Sequence, residues 1–186
     1  KKFAVLYMHD GQMLFDAKIT WNKQEWKVDE TLAKLMKQGR IRDTLVVGVW
    51  NRGELRSAEY FPEKPINALP QELRETIVKD GLKGEPLADK YLKFLVEELK
   101  PFIDKNYSTD PAQTFVAGSS MGGLISMYAI CEYPQVFKGA ACLSTHWPGG
   151  IEFQSTTITD AFISHLKENL PDRNSHFIYF DHGDKT

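Results

Sequence analysis

Residues 113–130 read QTFVAGSSMGGLISMYAI, and the fold turns on this stretch. Thr114, Phe115, Val116 and Ala117 form an apolar β-type run. Gly118, Ser119, Ser120, Met121 and Gly122 follow, and a helix-like segment comes next. Strand, sharp turn and helix in that order are what a nucleophile elbow needs, so Ser120 is the candidate nucleophile. The chemistry accounts for the glycines: the turn strains the serine backbone, and side chains at Gly118 and Gly122 would collide with the strand and helix beside it. The Met121 amide, at the positive end of the new helix, would face the charge developing on an attacked carbonyl oxygen, which is half an oxyanion hole. The competing reading is a chance G-x-S-x-G in which Ser119 and Ser120 only cap a helix. The flanking strand and helix favour the elbow.

Working outward, residues 2–8 form a compact apolar run ending at His9-Asp10-Gly11-Gln12, as a strand buried on both faces would. Asp29 is placed to cap a helix in which Val28, Leu32, Leu35 and Met36 share a face and Gly39 is the stop. Residues 44–50 (TLVVGVW) make a second strand, so the first fifty residues read as a βαβ crossover. Residues 51–86, with prolines at 62, 65, 70 and 86 and glycines at 53, 81 and 84, read as an irregular excursion or lid with one short helix at 71–79. Leu92, Leu95, Val96, Leu99, Phe102 and Ile103 mark a helix over 89–105, kinked at Pro101. A strand at 113–118, the helix after Ser120 to about Glu132, a strand at 139–144, a helix carrying Ile158, Phe162, Leu166 and Leu170, and a strand at 176–181 complete the order. This alternation specifies a single-domain α/β fold, a doubly wound, mostly parallel sheet with helices on both faces, whose ligands bind beyond the carboxyl ends of the strands. That edge collects His9 to Met13, Trp50 to Arg52, Ser120, His146 with Trp147, and Asp181 to Asp184.

Bulk properties narrow the function. The 186 residues suffice for one domain with a sizeable core. With 23 Lys and Arg against 25 Asp and Glu, no strong field draws in nucleic acid or an anionic membrane, while small neutral substrates fit. Cys131 and Cys142 lack C-x-x-C spacing and read as buried thiols. No apolar run is long enough to cross a bilayer, and the start shows no signal peptide. A strand starting at residue 2 reads as a chain cut from something longer, so the sequence assigns no compartment, and it assigns no oligomeric state.

The stretches VLYMHDGQMLFD (5–16), RSAEYFP (56–62), YLKFLVEELKPFIDKNY (91–107), FVAGSSMGGLISMYA (115–129) and FIYFDHG (177–183) span nearly the whole chain. Together they resemble the α/β-hydrolase superfamily, and within it the esterase family that includes esterase D, feruloyl and acetylxylan esterases, and enterochelin esterase-like enzymes. The resemblance implies a serine carboxylic ester hydrolase that needs neither metal nor cofactor and acts on small acyl esters, feruloyl or acetyl esters of polysaccharide among them. It implies a Ser-Asp/Glu-His triad with Ser120 as nucleophile. It also implies a second oxyanion amide from Gln12, with Met13 as the alternative. The family pattern has further strands before residue 2 and a last strand followed by the histidine, and neither is present here. The acid belongs just after the fifth strand, where Asp184 is the first candidate and Asp181 the next. His182 stands in the wrong order for the base, so no histidine is carried over.

Other residues are weighed on their chemistry. His146 could face the pocket as a substrate contact or stand-in base, against a loop histidine bonded to backbone. His9 with Asp10 could be a metal pair, but Asp10 ordering the turn is favoured. Asp181 to Asp184 looks like a metal cluster, yet adjacent residues of an extended segment point to opposite faces. Of the four tryptophans, Trp50 and Trp147 sit on the edge suited to a substrate wall. Arg56 and Glu59 are expected to pair with each other. Two other functions stay open: a non-catalytic binding module on the same fold, and an acyltransferase using the same serine.

Overall fold

The computed structural model describes residues 2–82, 84–148 and 155–183. Five strands, β1 (Phe3–His9), β2 (Thr44–Val49), β3 (Thr109–Ser119), β4 (Gly139–Leu143) and β5 (Phe177–Phe180), form one parallel sheet in the order β2-β1-β3-β4-β5. The order reverses between β1 and β3, so their carboxyl ends flank the crevice where a doubly wound sheet takes its ligand. β3 is longer than the sequence suggests. It pairs Thr109 with Phe3, slips register around Pro111, and resumes with Thr114 opposite Val5.

Side chains alternate between the two faces of the strands. Val5, Tyr7, Val116, Ala140 and Cys142 pack with Leu92 and Leu95, Ile125 and Tyr128, and Leu166. Leu6, Met8, Val46, Ala117 and Ala141 pack instead with Val28 and Leu32 of helix α1 (Val28–Lys37). Both faces are therefore covered, as the near-continuous apolar strands require. Lys27, not Asp29, occupies the N-cap of α1, in a left-handed conformation, and Asp29 lies within the first turn. Gly39, at φ 66°, ends the helix as expected.

Residues 51–82 hold more helix than the sequence suggests, and the short helix expected at 71–79 is among them. After a 3-10 turn (Gly53–Leu55) come α2 (Arg56–Tyr60), α3 (Glu63–Asn67) and α4 (Gln71–Thr76), the last extended by a π-helical turn (Ile77–Gly81). Pro62 and Pro70 sit at the N-caps of α3 and α4, and Pro65 falls in the first turn of α3, where no intrahelical N–H is needed. Ala58, Phe61, Ile66, Leu69, Ile77 and Leu82 then build a core with Leu124, Ile158 and Phe162.

Residues 88–106 run as one helix in three pieces: α5 (Ala88–Phe94), a π-helical turn (Leu95–Leu99) and α6 (Lys100–Asn106). Pro101 has no N–H to return to Glu97, and the wide turn directly before it accommodates the gap. α7 (Met121–Glu132) is buried from Gly122 to Cys131, and α8 (Thr156–Asn169) buries Ile158, Phe162 and Leu166. Cys131 and Cys142 are free and buried, and burial pushes both thiols up to about 12. Among the described residues, no helix is long and apolar enough to cross a membrane.

Candidate active site

β3 delivers Ser120 into a backbone conformation, φ 58° and ψ −121°, that an L-residue adopts only under strain. Main-chain bonds around the serine hold it there: Ser120 N–H donates to the Leu143 carbonyl at 2.9 Å, and the Ser120 carbonyl accepts from Gly123 at 3.0 Å, Leu124 at 3.2 Å and His146 at 3.2 Å. Ser120 occupies the N-cap of α7, yet its hydroxyl makes no capping bond. The helix-cap reading of this serine therefore fails. A Cβ on Gly118 would come within 2.6 Å of the Gly122 backbone, the close approach that lets strand and helix meet.

The facing turn follows β1. Asp10 takes a left-handed conformation, φ 55°, and Gly11 to Met13 form a 3-10 turn. Gly11 presses on β2 so closely that a Cβ would lie 2.5 Å from the Gly48 carbonyl carbon. The Met13 N–H donates to the Asp10 carbonyl at 2.8 Å. The Gln12 side chain accepts from Asn51 N–H at 3.2 Å, tying the turn to the segment after β2.

Asp10 is the pivot. Its Oδ1 accepts from Arg56 Nε at 2.7 Å and Asn51 Nδ2 at 2.7 Å, and its Oδ2 from Arg56 Nη2 at 2.8 Å, while its own N–H donates to Tyr60 Oη at 3.1 Å. Burial pushes the Asp10 carboxyl up, but the bonds and charge of Arg56, with Asn51, outweigh it and hold it below the ordinary carboxylate range. Arg56 thus pairs with Asp10 and not with Glu59, which lies 3.5 Å from Arg52 instead. His9 is buried under the same turn, its Nδ1 2.7 Å from Tyr91 Oη and its ring stacked obliquely on Tyr60 and Tyr91. Burial lowers His9 to about 4, against a partly compensating Asp10, so its ring is neutral at pH 7. With Asp10 committed to Arg56 and His9 to Tyr91, the two do not stand as a metal pair.

A cavity of about 510 Å³ opens over Ser120, with walls that include Asp10, Gln12, Asn51, Arg56, Trp21 and Trp26. Trp21 is 85% and Trp26 46% exposed. The aromatic wall therefore comes from the loop between β1 and α1. Trp50 and Trp147, the tryptophans favoured from the sequence, line other cavities, and Trp147 packs toward Phe180 at 6.0 Å between ring centres. The loop itself is braced by Ala17 N–H to Glu25 at 3.1 Å and Trp26 N–H to the Met13 carbonyl at 3.0 Å.

On the other flank, Asp181 accepts the Ser144 N–H at 2.7 Å, just beyond β5. Its role is to lock the turn after β4. His182 lies on a separate apolar cavity with Trp147 and Phe180. His146 meets Ser120 through its own backbone N–H. Asp184 lies outside the described residues. The Asp10 network escaped sequence reasoning because its partners are 41 and 46 positions away. The one local signal was an acidic residue directly before a tight glycine turn.

A parallel sheet with helices on both faces, and a strained serine between strand and helix at its carboxyl edge, define an α/β-hydrolase fold. The match to the family described as "Putative esterase" runs over residues 1–186, and the chain belongs to that family. The protein YbbA of Bacillus subtilis is 28% identical over 148 residues, 78% of this chain and 51% of that protein. The ferri-bacillibactin esterase BesA of the same organism is 31% identical over 84 residues, 44% of this chain and 28% of BesA. The chain thus spans about half of the first and under a third of the second. The siderophore hydrolase EstA from Aspergillus nidulans superposes with a TM-score of 0.65 at 19% identity, over 100% of this chain and 58% of EstA, a likeness of fold.

Proposed function

We propose that this chain carries the nucleophile half of a serine carboxylic ester hydrolase acting on small acyl esters. Ser120 Oγ attacks the ester carbonyl as a histidine takes its proton. The Met121 and Gln12 amides hold the oxyanion, the alcohol leaves, and water releases the acyl group from the serine. No metal takes part in this scheme. Asp184 stays the first candidate for the acid, since Asp181 is committed to the Ser144 amide. One observation carries the reading: Ser120 holds φ 58° on the wall of the cavity with its hydroxyl unused by the helix it precedes.

The exposed indoles of Trp21 and Trp26 on that cavity favour a flat acyl group, feruloyl over acetyl. A relative named as a ferri-bacillibactin esterase accords with small ester substrates. Comparing p-nitrophenyl acetate with methyl ferulate tests both parts. Ser120→Ala is expected to lower kcat/KM on either ester by at least ~1000-fold. Trp26→Ala is expected to lower it about tenfold on the ferulate alone. Ester hydrolysis that survives Ser120→Ala would refute the assignment.

A further inference from the structure

A second cavity, of about 320 Å³, adjoins the first. One segment serves both: Asn51 and Arg56 line the cavity of Ser120, whereas Trp50, Arg52 and Glu59 line the second. Glu59 is only 5% exposed. Its Oε1 stands 3.5 Å from Arg52 Nη1, a loose pair whose arginine side chain is 64% exposed, and its Oε2 is buried with no hydrogen bond among the described residues. A buried carboxylate oxygen without a donor is destabilising, and buried polar atoms almost always find one. Burial pushes this carboxyl up, and Arg52, through backbone and side chain, pulls it back.

The rest of the wall says what donor fits. Lys90, Tyr91 and Phe94 come from α5, with Trp50 opposite in sequence, at the end of β2. Trp50 is 64% and Phe94 41% exposed, large apolar surfaces left open beside a charged pocket. A simple amine would satisfy Glu59 but meet Arg52 and Lys90 as like charges. A simple carboxylate would suit Arg52 and Lys90 but meet Glu59 as a like charge. A molecule carrying both, with a flat ring, answers every group present.

We infer that this cavity binds an aromatic α-amino acid as its zwitterion, the ammonium on Glu59, the carboxylate toward Arg52 and Lys90, and the ring against Trp50 and Phe94. The site is separate from the serine cavity but touches its wall, since Tyr91 on one side is hydrogen-bonded to His9 on the other.

The test is a titration of the purified chain with L-phenylalanine, followed by tryptophan fluorescence, with phenethylamine and 3-phenylpropionate as half-ligands. Phenylalanine is expected to saturate in the millimolar range and each half-ligand to bind at least about tenfold more weakly. Glu59→Gln should weaken phenylalanine about tenfold and leave 3-phenylpropionate no weaker. Lys90→Gln, at an exposed position, should weaken phenylalanine and leave phenethylamine no weaker. Circular dichroism of each variant confirms the fold. Three results would overturn the assignment: no saturable phenylalanine signal, phenethylamine binding as tightly as phenylalanine, or a Glu59→Gln variant that binds phenylalanine like the wild type, as it would if Glu59 merely holds a proton.

Discussion

Around β1 and β3 the sheet is flanked on both edges and covered on both faces: Val5 and Val116 are fully buried and Tyr7 is 1% exposed. At β5, which among the described residues pairs with β4 alone, Phe177, Tyr179 and Phe180 are 67%, 57% and 44% exposed. The two ends differ in chemistry as well as in packing. The closed end carries everything that needs rigid placement, namely the strained Ser120, the turn with Gln12, and Asp10 clamped by Arg56 and Asn51. The open end carries Asp181, which accepts the Ser144 amide, and His182, which lines a separate cavity. Strain at a nucleophile persists only where the surroundings over-determine the backbone. That explains why the elbow sits beside the most deeply buried strands.

The comparison can be broken most sharply at Asp10. Arg56→Ala leaves its largely buried carboxylate without its charged partner and should cost about 4 kcal/mol in urea unfolding. It should also lower kcat about 100-fold with little change in KM, because the oxyanion turn loosens. Arg56→Lys should recover only part of both, since an ammonium cannot hold both carboxylate oxygens as the guanidinium does.

His9 supplies the next effect, through pH. Its folded value of about 4 lies below the ordinary 6.5, so between these values the unfolded chain binds the proton and the native one does not. Stability is therefore full above pH 6.5 and falls by about 3 kcal/mol as pH drops toward 4. His9→Gln should flatten that slope in urea titrations. Asp10, held below its ordinary range, adds a further loss only at lower pH still.

Gly118→Ala, driving a Cβ into the Gly122 backbone, should cost about 2 kcal/mol. The smallest effect belongs to the open end. Phe177→Ser on this chain should change stability by less than about 0.5 kcal/mol. A loss several times larger would show that β5 is covered, and the contrast between the two ends would fail.

The legible parts of the molecule were those whose causes are local. The elbow is written in consecutive residues because Gly118 answers a contact four positions on, the Gly122 backbone; a Cβ on Gly122 itself would meet only ordinary contacts, with Asp10 and His9, and not the collision its spacing suggests. The strands follow from apolar runs that both sheet faces require. The helix at 71–79 was legible, but α2 and α3 were obscured because Pro62 and Pro65 read as breakers, although both sit at the start of α3. Leu73 and Ile77, four positions apart, carried the signal of α4 and its extension. The cavity wall was misplaced for the opposite reason. Which tryptophan reaches Ser120 depends on how the loop after Met13 folds back, through Trp26 N–H to the Met13 carbonyl, and no periodicity encodes that bond.

The central claim is that Ser120 is a nucleophile and not a helix cap. Intact-mass measurement after treatment with a fluorophosphonate tests it most directly, with Ser120→Ala alongside. The account predicts one covalent adduct on the wild-type chain and none on the variant. No adduct on a folded wild-type chain, or an adduct that persists in Ser120→Ala, would contradict it.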